Sequence, residues 1–243
     1  MSHLRAGLWW GLTLALLPVV LPQALWTRRT ALRLPPAAGA QTGMAGAEFS
    51  AEPLRLLLIG ESTVAGVGVE AQTEALAGQL AQALSVRLQR PVLWRACGEN
   101  GITAGEACER LLPLALSEPA DLVLLVFGVN DTTHLSSQAR WSEALRNLSR
   151  ALAAQGAQVA FTGVPPIQHF TALPWLLRRL LGVRAALLDA VLDRTCAEER
   201  VEYVKLGLTV TPEYLARDGY HPSALGYRVW AEGLAERLNP RCG

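Results

Sequence analysis

Apolar and polar positions follow three different rhythms along the 243 residues. The first stretch, Ala6 to Trp26, carries no charged side chain. About 20 apolar residues are enough to cross a bilayer as a helix. Trp9, Trp10 and Trp26 lie near its ends, where indole rings favour the interface. Pro18 and Pro22 weaken a helix but are tolerated in membranes. Residues 6–26 are therefore expected to form a transmembrane or signal-anchor segment. A cleaved signal peptide and an interfacial or buried helix are the rival readings. Arg28, Arg29 and Arg33 follow the segment and only Arg5 precedes it, which favours a cytoplasmic C-terminal domain over an exported one.

The second stretch, residues 27–52, begins with arginines and becomes rich in Ala, Gly and Pro from position 34. It shows no apolar periodicity and reads as a linker. The third stretch, 53–243, alternates short apolar runs with amphipathic ones. The spacing predicts strands over Leu54–Ile59, Val92–Arg95, Asp121–Phe127, Gln158–Thr162 and Val201–Leu206. It predicts helices over Gln72–Gln89, Ala107–Leu116, Ser137–Gln155, Leu180–Glu199 and Ser223–Leu238. Continuous apolar strands between helices imply a parallel sheet covered on both faces. The expected fold is a three-layer α/β/α domain of flavodoxin-like style with a roughly five-stranded parallel sheet.

Charge removes one class of function. Lys and Arg together number 22 against 21 Asp and Glu, without the basic excess of a nucleic-acid binder. The cysteines Cys97, Cys108, Cys196 and Cys242 form no CxxC pair and have no histidine at zinc spacing. They are expected to be free thiols, since a domain of this size buries enough core without disulfides. No metal or organic cofactor is implied, and the oligomeric state is not legible.

Sites in parallel sheets form at the carboxyl ends of the strands. The first strand ends in Gly60-Glu61-Ser62-Thr63 and runs on to Gly68. The second is followed by Gly98-Glu99-Asn100-Gly101-Ile102-Thr103, and the third by Gly128-Val129-Asn130-Asp131. The loop before the last helix carries Asp218-Gly219-Tyr220-His221-Pro222. A serine hydroxyl needs an adjacent base to become a nucleophile at neutral pH. His221 titrates in the right range, and Asp218 can turn back through Gly219 to orient its ring. The alternatives are that Ser62 caps the following helix, that Asp218-Gly219 is only a turn, and that Asn130 and Asp131 cap the third helix. His3, His134 and His169 are weaker base candidates, since none has an acid at comparable spacing in a matching block. A phosphate-loop reading of Gly60–Gly68 lacks the Gly-Lys-Ser/Thr ending.

These four blocks, in this order, resemble the SGNH (GDSL-type) hydrolase family from about Pro53 onward. The resemblance implies a serine esterase or lipase with Ser62, His221 and Asp218 as the triad. It implies an oxyanion hole from the Ser62 N–H, a glycine N–H and the Asn130 side chain. The glycine is Gly101, with Gly105 as the rival. Glu61 departs from the family's Asp before the nucleophile and should alter how that turn is braced. The implied reaction passes through an acyl-Ser62 intermediate on a lipid or acyl ester, thioesters included. A carbohydrate O-deacetylase and a catalytically silent membrane-tethered binding module are the alternatives. Residues 164–181 are too apolar for an ordinary loop. They either pack on the core or form a rim, with Phe170, Leu173, Trp175, Leu176 and Leu177, that meets an acyl chain or lipid.

Overall fold

The computed structural model describes residues 2–205, 207 and 209–240. Leu206, the last residue of the predicted final strand, and Cys242 lie outside the described residues, as does the side chain of His3. Helix α1 (Ser2–Thr30) comes first, followed by strand β1 (Thr42–Ala45) and strand β2 (Leu54–Gly60). Then come α2 (Leu76–Leu88), β3 (Val92–Gly98), α3 (Ala104–Arg110), α4 (Leu112–Ala115) and β4 (Leu122–Val126). The chain continues through α5 (Val129–Thr133), α6 (Gln138–Ala153), β5 (Gln158–Thr162) and α7 (Trp175–Glu199), and ends with β6 (Glu202–Val204) and α8 (Ala224–Arg237).

The six strands form one sheet in the order β1-β3-β2-β4-β5-β6. Strands β2 to β6 are parallel, as their apolar runs predict. To these five expected parallel strands β1 adds an antiparallel edge strand beside β3, which makes the sheet mixed. Its residues lie inside the stretch read as a linker. Gly43 sits against the Trp94 indole, where a side chain would collide with the ring. The feature that lets β1 pair thus also removes its apolar signature.

Side chains of β2 alternate between two cores, as strand pleating requires. Leu57 and Ile59 face Trp141, Leu145 and Leu188, while Leu56 and Leu58 face Leu80, Leu84 and Tyr227. All five residues from Leu56 to Gly60 pair with β4. This double burial explains why the strand reads as continuously apolar. The helix predicted over Ala107–Leu116 divides at Leu111, because Pro113 fits the start of a new turn better than a helix interior. Helix α7 begins at Trp175, five residues before the predicted start at Leu180, with Pro174 at its N-cap.

Candidate active site

The carboxyl end of β2 delivers Ser62 into a tight turn. Val64 and Ala65 N–H donate to the Glu61 carbonyl, and Val67 N–H to that of Ser62. Ser62 is not a helix cap. Helix α2 starts only at Leu76, behind Ala75, whose side chain caps nothing. Gly68, at φ +109°, lets this turn approach the other half of the site. A side chain there would strike the Pro222 carbonyl and crowd His221.

That other half is the loop before α8. Gly219 adopts φ +66° and closes the turn from Ala216. Asp218 Oδ1 accepts N–H bonds from Tyr220 at 2.9 Å and His221 at 3.0 Å. Its Oδ2 lies 2.6 Å from His221 Nδ1, and His221 Nε2 lies 3.0 Å from Ser62 Oγ. Burial alone would raise the Asp218 carboxyl. The His221 ring and the two N–H groups outweigh it and hold the carboxyl below its ordinary value. A proton on Nδ1, donated to Asp218, would leave Nε2 able to accept one from the serine hydroxyl. The Tyr220 ring stands edge-on to His221 at 5.2 Å and to Phe170 at 5.0 Å between centroids.

On the opposite flank, Glu61 is buried and braces the Asn130 turn. Its two carboxylate oxygens accept the backbone N–H groups of Val129 at 2.9 Å and Asn130 at 2.8 Å, at the start of α5. Burial pushes the Glu61 carboxyl up to about 8 against the pull of those donors, and nearby Asp131 adds to the rise. Asn130 Nδ2 donates to the Ile102 carbonyl at 3.0 Å, which joins α5 to the segment after Gly101. Gly101 is exposed at φ +88°, while Gly105 is the second residue of α3. Asp131, read as a candidate cap of the third predicted helix, accepts from Ala104 N–H at 3.0 Å and Ser136 Oγ at 2.7 Å, while Ser137 caps that helix.

Ser62 and His221 open on a cavity of about 400 Å³, walled by Phe127, Val164, Phe170, Leu215, Val229 and Trp230. Residues 164–181 divide between the two readings given for them. Phe170 and Leu173 are core, whereas Trp175 is 62% exposed.

Sequence reasoning missed a second polar cluster on the cavity wall. Asp189 Oδ1 accepts from Tyr203 Oη at 2.7 Å and Val164 N–H at 2.9 Å, and its Oδ2 pairs with Lys205 Nζ at 2.6 Å. The available signal was composition, since Lys205 is the only lysine in the chain. Cys97, Cys108 and Cys196 are free thiols. Burial pushes Cys108 up to about 11 and Cys196 up to about 12, far from a reactive thiolate. Among the described residues, no group of three or more His, Cys, Asp or Glu is placed to hold a metal ion.

Three comparisons bear on this geometry. The GDSL-like lipase/acylhydrolase family matches residues 58–229. No curated protein matches the chain in sequence. Among solved structures, the chain is similar to a lipase/acylhydrolase from Enterococcus faecalis, with TM-score 0.62 and 22% identity over 78% of this chain and 100% of that one. It is similar to the psychrotrophic esterase EstA from Pseudoalteromonas sp., with TM-score 0.60 and 18% identity over 75% and 94% of the two chains. It is also similar to an acetyl xylan esterase, AlAXEase, with TM-score 0.61 and 15% identity over 76% and 100%.

Proposed function

The chain belongs to the GDSL-like lipase/acylhydrolase family and acts on esters, and we propose that it cleaves lipid or acyl esters, thioesters included, through an acyl-Ser62 intermediate. The observation that carries this reading is the unbroken hydrogen-bond chain from Ser62 Oγ through His221 to Asp218. Ser62 attacks the ester carbonyl as His221 Nε2 takes its proton. Asp218 holds the ring and stabilises the imidazolium. The Ser62 N–H, the Asn130 side-chain amide and the Gly101 N–H stabilise the oxyanion. His221 returns the proton to the leaving alcohol or thiol, and then draws one from the water that releases the acid.

The apolar cavity beside Ser62 supports an acyl substrate. Helix α1 is long and apolar enough to cross a membrane and supports membrane association. Were α1 to span the bilayer, the excess of Arg28, Arg29 and Arg33 over Arg5 would favour the cytoplasmic face. A second reading, removal of acetyl groups from carbohydrate, draws on Asp189 and Lys205, which give the same cavity a polar wall.

Fluorophosphonate labelling followed by an ester panel tests the proposal. Labelling of the native chain and none of Ser62→Ala is expected, with turnover rising from acetyl to long-chain esters. An acetyl preference favours the second reading. No labelling of a well-folded sample makes the protein a silent binding module and overturns both.

A further inference from the structure

The sheltered positions of α1 fall at Ala6, Trp9, Thr13, Leu16, Val20, Gln23 and Ala24, and continue to Thr27. This spacing of threes and fours is one stripe along the helix. The stripe meets protein. Trp9 Nε1 donates to the Leu180 carbonyl at 2.8 Å, and the Arg184 guanidinium lies 4.9 Å from the Trp9 ring. Val20 is buried, and the Gln23 and Thr27 side-chain oxygens are enclosed. Away from this stripe, Leu14 is 63%, Leu21 48% and Leu25 46% exposed, while Leu8 and Leu12 border a groove against α7. A helix on a water-soluble domain turns its apolar face inward. Here small and polar residues share the inner stripe, while most of the leucines point outward.

Both ends of this helix are tied to the catalytic site. Arg184, under Trp9, also donates to the carbonyls of Thr132 and Ser136, which close the Asn130 turn. Just beyond α1, Ala37 and Ala38 N–H donate to the carbonyls of Ala65 and Glu70 in the loop that follows Ser62. A helix crossing a bilayer would be ringed by lipid and would leave this stripe. Arg5 at one end and Arg28 and Arg29 at the other fit anionic headgroups, with Trp10 and Trp26 at headgroup depth.

We propose that α1 is a membrane-surface strap. It lies in the plane of an anionic bilayer, with its leucine face among the acyl chains and its inner stripe docked on the domain. Both of its ends stay on the side of the domain, so Ser62 is held at a fixed height beside the lipid. The domain takes the place of water on the helix's polar side. The inference rests on membrane association and is independent of the ester chemistry.

Because Lys205 is the chain's only lysine, Arg5→Lys and Arg28→Lys place one new amine at each end of α1 without changing charge. The full chain is bound to sealed phosphatidylcholine–phosphatidylglycerol vesicles and treated with a membrane-impermeant amine reagent. Labelling of positions 5, 28 and 205 from outside the intact vesicles is expected. Protection of position 5 until detergent is added means a spanning helix and overturns the proposal, as does failure of the chain to bind. In a second arm, Leu14→Ser with Leu21→Ser should lower vesicle binding by about 10²-fold or more, given the apolar area each leucine buries in lipid. Hydrolysis of a short soluble ester without vesicles should be unchanged, since both side chains are exposed and lie off the docked stripe. Unchanged vesicle binding overturns the strap. Loss of short-ester hydrolysis by the native chain overturns the esterase reading alone.

Discussion

Asp218 and Glu61 stand on either side of Ser62, and each collects two backbone N–H groups. Their charge states diverge. The Asp218 carboxyl is held below its ordinary value, whereas that of Glu61 is pushed up to about 8. Both are buried, so desolvation works against both charges. The difference is the imidazole. Asp218 Oδ2 faces His221 Nδ1, while Glu61 has no cationic partner among its contacts and lies near Asp131, another acid. Two amide donors alone do not keep a buried carboxylate ionised here. The additional hydrogen bond with the His221 ring does. In the proposed reaction the Asp218 flank responds to charge on that ring, while the Glu61 flank holds geometry.

Removing the charge from the responsive flank should have the largest effect. Asp218→Asn keeps the size of the side chain but offers the wrong hydrogen bonds to Nδ1. A loss on the order of 10⁴ in kcat is expected, with little change in KM, from steady-state hydrolysis of a short soluble ester. On the other flank, Asn130→Ala removes a proposed oxyanion donor and should cost about 10²–10³ in kcat. Equal losses from the two variants would erase the distinction between the flanks.

The two carboxylates should also write opposite limbs into the stability profile. Between the ordinary value of 4.5 and about 8, folded Glu61 keeps a proton that the unfolded chain has released. Stability therefore falls as pH rises through that window. For Asp218 the sign reverses. Its contribution is complete above the ordinary value of 3.8 and is lost as pH falls through its lowered value. Urea midpoints across pH should show both limbs. Glu61→Gln should flatten the neutral limb and leave the acid one, and Asp218→Asn the reverse. Glu61→Gln also puts an amide N–H against a backbone N–H at α5. The displaced turn should lower kcat by up to about 10². A kcat loss with an unchanged neutral limb would mean that Glu61 is ionised in the folded protein.

The responsive flank was legible in the sequence because its parts are contiguous. Asp218, Gly219 and His221 lie within four residues, and the turn that joins them is a local event. The brace was not legible, since Glu61 reaches backbone donors 68 and 69 residues away, and any residue at Val129 supplies the same N–H. The same contrast runs through the fold. The β4 run Leu122–Val126 announces itself because both its faces are buried. Edge strand β1, with Gly43 fitted under Trp94, has no apolar alternation to read. The start of α7 was missed because an apolar run beginning at Trp175 serves a helix and a rim equally well. Only burial of Phe170 and Leu173 separates the two.

The smallest expected effect tests whether the carboxylate or the surrounding rings orient His221. Tyr220 stands edge-on to His221 and Phe170, but the N–H it gives Asp218 belongs to the backbone and survives any substitution except proline. Tyr220→Leu removes one ring from both pairs, each worth about 0.5–1.5 kcal/mol beyond its buried area. A lower urea midpoint is expected, with kcat on a short ester reduced by less than about tenfold, since one pair contact corresponds to no more than that. The acid limb should stay in place because the Asp218–His221 contact is untouched. If kcat instead falls as far as in Asp218→Asn, ring packing rather than charge sets the imidazole. The two flanks of Ser62 would then both be geometric braces, and the low value at Asp218 would be a consequence of the site rather than its working part.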